Sequence, residues 1–333
     1  MIESHPQPEI ITKLLDAVYP SFALLAGMQL DLFTKLKEEP LSAEKLAQAI
    51  GVQTYKLQPL LFILVQAGLL DYEDYLFSNT PETSHYLVNG KPTYLGKRMG
   101  LTFSNWRRML STADTIRAGK PQVAYDDPSS HEDLVEVFRG LYPGAVADAK
   151  LILDQHDFTD CEMFLDVGGG SGGLGITIAE AHPHLKTTII DLPSVTPITK
   201  IFVDNANAND QIEIITADAI NDTLSGAYDV VVARHLFQVL SKEDAQKLMN
   251  KLARIIVPGG KLFIIGYILE DSRLAPSQAV DFNLVLITSS EYGEAYAEHE
   301  YKEWLRVAGF VGFTRKSISN GASFISAQLP SKR

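Results

Sequence analysis

The sequence predicts an α/β protein: a doubly wound, mostly parallel seven-stranded sheet of Rossmann-like type, preceded by a helical domain. Three observations carry that prediction. Residues 163–173, MFLDVGGGSGG, read as strand, tight glycine turn and helix start. After residue 150, strand and helix patterns alternate, which demands parallel βαβ units. Before it, the apolar residues recur with helical spacing.

Taken in order, the helical patterns are FALLAGMQLDLFTKL from Phe22, LSAEKLAQAIGV from Leu41, and YKLQPLLFILVQAGLL from Tyr55, which ends at a turn on Gly68. A short alternating stretch, DYEDYLFSNT, follows as a β-wing. Ser42 supplies an N-cap, although Lys45 three residues on completes no capping box. Residues 1–90 thus form a winged-helix-like domain. DNA binding is disfavoured there, because residues 41–90 carry Lys45 and Lys56 against Glu44, Asp71, Glu73, Asp74 and Glu82. Residues 91–150 form a helical connector with long periodic pieces NWRRMLSTADTIRAG and HEDLVEVFRGLYPGAVADAKLILDQ, joined by a proline-, aspartate- and serine-rich loop, KPQVAYDDPSS, expected to be flexible.

Residues 151–333 form the third domain. Its predicted strands are MFLDVG, KTTIIDL, IEIITAD, YDVVVARH, GKLFIIGYI, FTRKSI and ASFISAQ; its helices are ITIAEAH, ITKIFVDNAN, KEDAQKLMNKLARIIV and EHEYKEWLRVAG. The last two strands, joined by a short SNG-containing turn, should pair as an antiparallel hairpin at one edge. Ligands of open α/β sheets bind at the carboxyl ends of the strands, where the glycine turn lies.

Composition narrows the class. The single cysteine, Cys161, forbids an intrachain disulfide and a cysteine-rich zinc site, and suits a reducing cytoplasm. A net charge of -12 weighs against nucleic acid as a bulk partner. The N-terminal MIESHPQPEI lacks a signal-peptide pattern, and no run approaches eighteen uninterrupted apolar residues, so neither secretion nor a membrane span is expected.

Two nucleotide-like ligands compete for the turn. Gly168, Gly170 and Gly173 satisfy G-x-G-x-x-G, the dinucleotide pattern, and Asp191 at the end of the second strand would grip a ribose in either case. Asp166 before the glycines and Asp218 after the third strand favour S-adenosylmethionine: three acids at successive strand ends suit adenosine and a sulfonium amino acid, and bring no positive group to a pyrophosphate. The alternative is that Asp166 and Asp218 cap the turns that follow them.

DVGGGSGG, then DLP, ADA and VPGGKLFIIGYI, behind a winged-helix domain, resemble the S-adenosylmethionine-dependent small-molecule methyltransferases that include caffeic acid, N-acetylserotonin and hydroxyneurosporene O-methyltransferases. The resemblance covers nearly the whole chain. It implies a homodimer formed by the N-terminal domain, no metal, and cofactor roles for Gly168, Gly170, Asp191 and Asp218. Asp166, Leu192, Ala219 and Arg234 complete the candidate cofactor site. O-methylating members carry a histidine base after the fourth strand. Here that segment is ARHLFQVLSKED, which places Gln238 or, with a different anchor, Phe237 at the histidine position, and neither accepts a proton. Tyr267 and Ala295, with Glu294 adjacent, stand where partner glutamates are expected.

Removing that base favours an acceptor with no proton to lose. The expected reaction is methylation of a thioether sulfur in a small acid, as in the related methylthiohydroxybutyrate S-methyltransferases. The alternatives are O-methylation with His235 as base, carbon or nitrogen methylation of a pigment or secondary metabolite, and a non-methylating cofactor-binding protein or dimeric regulator. His235, Gln238 and Tyr142 are the catalytic candidates. Trp106, Arg107, Phe138, Tyr142, Phe237 and His299 are the acceptor-site candidates, an arginine being suited to a substrate carboxylate and an aromatic to a sulfonium.

Overall fold

A computed structural model describes residues 6–91, 93–121, 131–318 and 321–331. Most of the loop expected to be flexible, 122–130, lies outside them. The chain divides into two compact units, Met1–Phe103 and Ser104–Arg333.

The first unit begins with α1 (Glu9–Asp16), α2 (Val18–Gln29) and α3 (Leu32–Lys35). The predicted single helix from Phe22 to Leu36 is broken at Asp31, whose backbone turns left-handed at φ 53°. There follow α4 (Ala43–Ile50), α5 (Thr54–Gln66), the hairpin strands β1 (Leu70–Glu73) and β2 (Leu76–Asn79), and α6 (Pro81–Tyr86). Ser42 caps α4 by accepting the Lys45 N–H. Leu32, Phe33, Leu46, Leu61, Leu64 and Phe77 fill the core. The start of the unit is different: Ile10, Ile11, Leu14, Leu15, Tyr19 and Phe22 are all more than half exposed. By length and composition Glu9–Gln29 would suffice to cross a membrane, and it is the one such stretch among the described residues.

Helix α7 (Gly96–Met109) spans the division. The second unit continues with α8 (Thr112–Ala118) and the long α9 (His131–Gln155), then alternates: β3 (Met163–Val167), α10 (Gly173–Ala181), β4 (Lys186–Asp191), α11 (Thr196–Asn205), β5 (Ile212–Thr216), β6 (Tyr228–Arg234), α12 (Lys242–Ile255) and β7 (Ile256–Gly266). It closes with α13 (Ser277–Ser289), α14 (Glu298–Ala308), β8 (Val311–Ser317) and β9 (Ser323–Gln328). Helix α13 is the one long element of this unit that the periodicity did not predict.

All seven predicted strands join one sheet in the order β5-β4-β3-β6-β7-β9-β8. Strands β3 to β7 are parallel, and β9 runs antiparallel to both neighbours. Chain order reverses between β3 and β6, and a ligand crevice opens at such a switch point. Strand β3 is buried through its last four residues, so the turn that follows is anchored on an apolar floor.

Candidate active site

The glycine turn leaves β3 at Val167 and enters α10 at Gly173. Gly168, Gly170 and Gly172 hold φ of 68°, 57° and 73°, a region where side chains are strained. Space is short as well as conformation. A Cβ on Gly170 would lie 2.8 Å from the Phe138 ring, and one on Gly173 would lie 3.0 Å from Tyr142. Helix α9 therefore roofs the turn with these two aromatics. Tyr142 is stacked on Phe202 at 5.2 Å, and burial raises its phenol pKa.

Asp191, at the end of β4, receives the Gly170 N–H on one carboxylate oxygen (2.7 Å) and the Leu192 N–H on the other (2.8 Å). Each oxygen retains a lone pair, so the carboxylate both fixes the turn and can accept ribose hydroxyls. Asp218 is committed to its own turn: it accepts from the Ile220 and Asn221 N–H groups and from the Asn221 side chain, which outweigh burial and lower its pKa. Ala219 beside it is half-buried.

Asp166 has no such role. It is 0% exposed, and neither carboxylate oxygen has a hydrogen-bond partner. Burial drives its pKa up to about 7; the Arg234 charge and the weakly placed Gly175 N–H lower it, and the Asp191 charge raises it. Arg234 itself ends β6 and pairs with Asp148 of α9 at 2.6 Å. A buried carboxyl without a partner is costly in an apolar floor and useful beside a cationic ligand.

His235 follows Arg234 with left-handed backbone, φ 54°, and donates its N–H to Ile265 in β7 (2.6 Å). Its imidazole Nδ1 lies 3.4 Å from Gln238 Oε1. An amide oxygen only accepts, so Nδ1 carries the proton and Nε2 keeps its lone pair. Burial, assisted by Arg234, pushes the imidazole pKa down to about 3. The same Gln238 oxygen accepts the Tyr267 N–H at 2.9 Å. Gln238 is thus buried and tied to the ends of β6 and β7, in the 3-10 turn Phe237–Val239.

Other sequence candidates fall elsewhere. Phe237, a candidate for acceptor contact, is 1% exposed and packs against the rings of Tyr301 and Trp304. The turn that aims Gln238 at the strand ends necessarily aims its neighbour inward. His299 is exposed and bonded to Asp271 at 3.0 Å. Glu294 faces Lys242 and Arg273, and Ala295 is fully buried. Trp106 is half-buried and Arg107 exposed on α7. Asp148 and Phe282, which stacks on Tyr267 at 4.0 Å, were absent from the sequence expectation; neither sits in a motif that would mark it. Among the described residues no cluster of three or more His, Cys, Asp or Glu could hold a metal ion.

Residues 117–311 match the O-methyltransferase domain family, and residues 12–89 match the O-methyltransferase dimerisation domain. The chain belongs to the O-methyltransferase family. It is an S-adenosylmethionine-dependent methyltransferase, and the turn fits that cofactor: positive-φ glycines allow close approach, Asp191 keeps lone pairs for hydroxyls, and Asp166 is an unpartnered buried carboxyl. The methyltransferase is 27% identical to the tetracenomycin polyketide synthesis 8-O-methyl transferase of Streptomyces glaucescens, over 97% of each chain. It is 26% identical to the 3-hydroxy-5-methyl-1-naphthoate 3-O-methyltransferase of Streptomyces sahachiroi, over 91% of this chain and 89% of that one. Its fold matches an O-methyltransferase family protein from Burkholderia thailandensis (TM-score 0.88, 20% identity, 99% and 100% coverage). It also matches human N-acetylserotonin methyltransferase in complex with S-adenosylmethionine (TM-score 0.84, 22% identity, 99% and 100% coverage).

Proposed function

We propose that this methyltransferase transfers the methyl group to a thioether sulfur of a small carboxylic acid by positioning, without a strong general base. The observation that carries this reading is Gln238: an amide stands at the strand end where a base is needed, and its oxygen is already occupied by the Tyr267 and His235 N–H groups. Bound S-adenosylmethionine supplies an electrophilic methyl on a positively charged sulfur. The chain's part is to hold that group on the glycine turn through Gly168, Gly170 and Asp191, with Phe138 and Tyr142 closing the α9 side. Orientation alone supplies effective molarities of roughly 10⁵–10⁸ M. A hydroxyl acceptor also needs proton removal, for which a placed base contributes about 10²–10⁴-fold. A thioether needs none: one carbon–sulfur bond forms as another breaks, and the positive charge passes between sulfurs with no proton released. Arg107 is the residue we assign to the acceptor carboxylate, with Trp106 beside it.

O-methylation is the second reading, favoured by the names of the two Streptomyces relatives and by the bare Nε2 of His235. Methyl-labelled donor offered to thioether acids, amines and phenols separates the two. Thioether acids are expected to take the label, at a rate flat from about pH 6 to about pH 8, and His235→Ala is expected to retain most activity. Faster labelling of phenols, abolished by His235→Ala, overturns the proposal.

We further propose that two copies associate through Glu9–Gln29, whose exposed apolar side chains fall largely within the matched dimerisation domain, in a homodimer acting in the cytoplasm.

A further inference from the structure

We propose that His235, Tyr267 and Phe282 form an uncharged aromatic wall that binds the positively charged onium group of the methylated product, and that this wall selects acceptors which become cations on methylation. The inference rests on the reading that the acceptor ends as an onium.

The three rings form one run. Tyr267 is stacked on Phe282 with centroids 4.0 Å apart and planes 20° from parallel, and His235 lies 5.6 Å from Tyr267 at 30°. Each of the three residues is only half-buried, so part of the run is open to solvent. Its place is set by topology. His235 is the first residue past β6 and Tyr267 the first past β7; these strands are neighbours, and β3 with its glycine turn adjoins β6. The segment carrying His235 touches that turn directly, since a Cβ on Gly168 would lie 3.2 Å from Leu236.

The wall is held rigidly and without charge. Gln238 Oε1 accepts from the Tyr267 backbone and faces His235 Nδ1, tying both strand ends to one buried side chain. Desolvation of the His235 ring at the strand end, with the neighbouring Arg234 charge, lowers the imidazole pKa to about 3, so the ring is neutral across the physiological range. Arg234, the nearest fixed cation in sequence, has its charge paired with Asp148 at 2.6 Å. A neutral π-face attracts an onium through the ring quadrupole but gives no comparable attraction to an uncharged ether or methyl group of the same size. A carboxylate there would bind a cation more strongly and release product more slowly, so rings suit turnover of a charged product.

The test is calorimetric and needs no turnover. In the presence of saturating S-adenosylhomocysteine, the full-length protein is titrated with trimethylammonioacetate and with tert-butylacetate, its uncharged-head carbon isostere. The onium acid is expected to bind at least about tenfold more tightly. Tyr267→Leu is expected to cut that ratio by roughly 2- to 30-fold, the equivalent of about 0.5–2 kcal/mol for a cation over a ring. Tyr267→Phe should preserve it, and unchanged S-adenosylhomocysteine affinity shows that the leucine variant is folded. Equal binding of the two acids, no uptake of either, or a ratio indifferent to Tyr267→Leu overturns the proposal. The two readings fail separately: a preserved ratio without thioether methylation removes the sulfur acceptor and leaves the wall, and thioether methylation with a ratio of one removes the wall alone.

Discussion

Asp166 offers the sharpest quantitative test. It is the one carboxyl in the sheet's centre that is 0% exposed with both oxygens unpartnered, and its pKa stands near 7 against an ordinary value of 3.8. The native state of the free enzyme therefore holds a proton here that the unfolded chain releases at far lower pH. Stability changes with pH as the difference in bound protons, unfolded minus native, and between pH 3.8 and about 7 that difference is close to minus one for this group. Asp166 thus adds no ionisation penalty below the unfolded value, and that penalty grows as pH rises, reaching full size above about pH 7. A shift of roughly three units corresponds to a penalty on the order of 4 kcal/mol. Asp166→Asn removes the titration while keeping the shape. Urea unfolding of wild type and variant, without cofactor, is expected to show little difference near pH 5 and a clear advantage for the variant near pH 8. A wild-type-minus-variant difference that does not move with pH would refute the argument.

Three further outcomes follow from the geometry. Gly170→Ala places a methyl 2.8 Å from Phe138 at φ 57°, so donor binding measured by calorimetry should fall sharply, with partial recovery when Phe138→Ala is added. Gln238→Leu strips the Tyr267 N–H of its acceptor, and scanning calorimetry should record a loss of about 1–3 kcal/mol. Replacing Leu14 and Phe22 together by glutamate should halve the mass seen by sedimentation, since both are exposed and charge is excluded from an apolar interface.

The sheet was legible because its signals are local. Runs rich in β-branched residues, punctuated by glycine or aspartate after β3 and β4, mark the strands, and each of the seven overlaps its predicted segment, although β7 starts earlier, at Ile256, in residues read as the end of a helix. Helix α13 was not, because SQAVDFNLVLITS mixes β-branched and apolar residues without a clean helical stripe, and packing against its neighbours overrides that weak preference. The break at Asp31 is a single left-handed residue inside a good helical pattern, which spacing cannot reveal. In the site, the glycines and Asp191 were readable from turn chemistry. The choice between Phe237 and Gln238 was not, since one residue of register separates them and both are buried in the 3-10 turn, Gln238 on polar partners and Phe237 on aromatic ones. The Arg234–Asp148 pair joins positions 86 apart in sequence and leaves no local trace.

The placement of β9 bears on how the enzyme is made. Strand β9 follows β8 in the chain yet is an interior strand, seated between β7 and β8 rather than at the rim. Until Gln328 has emerged, β7 is an open, apolar border and β8 has nothing to pair with. Chains that stop before Ser323 would expose that border to one another, and such truncation should show first as aggregation during expression rather than as slow catalysis.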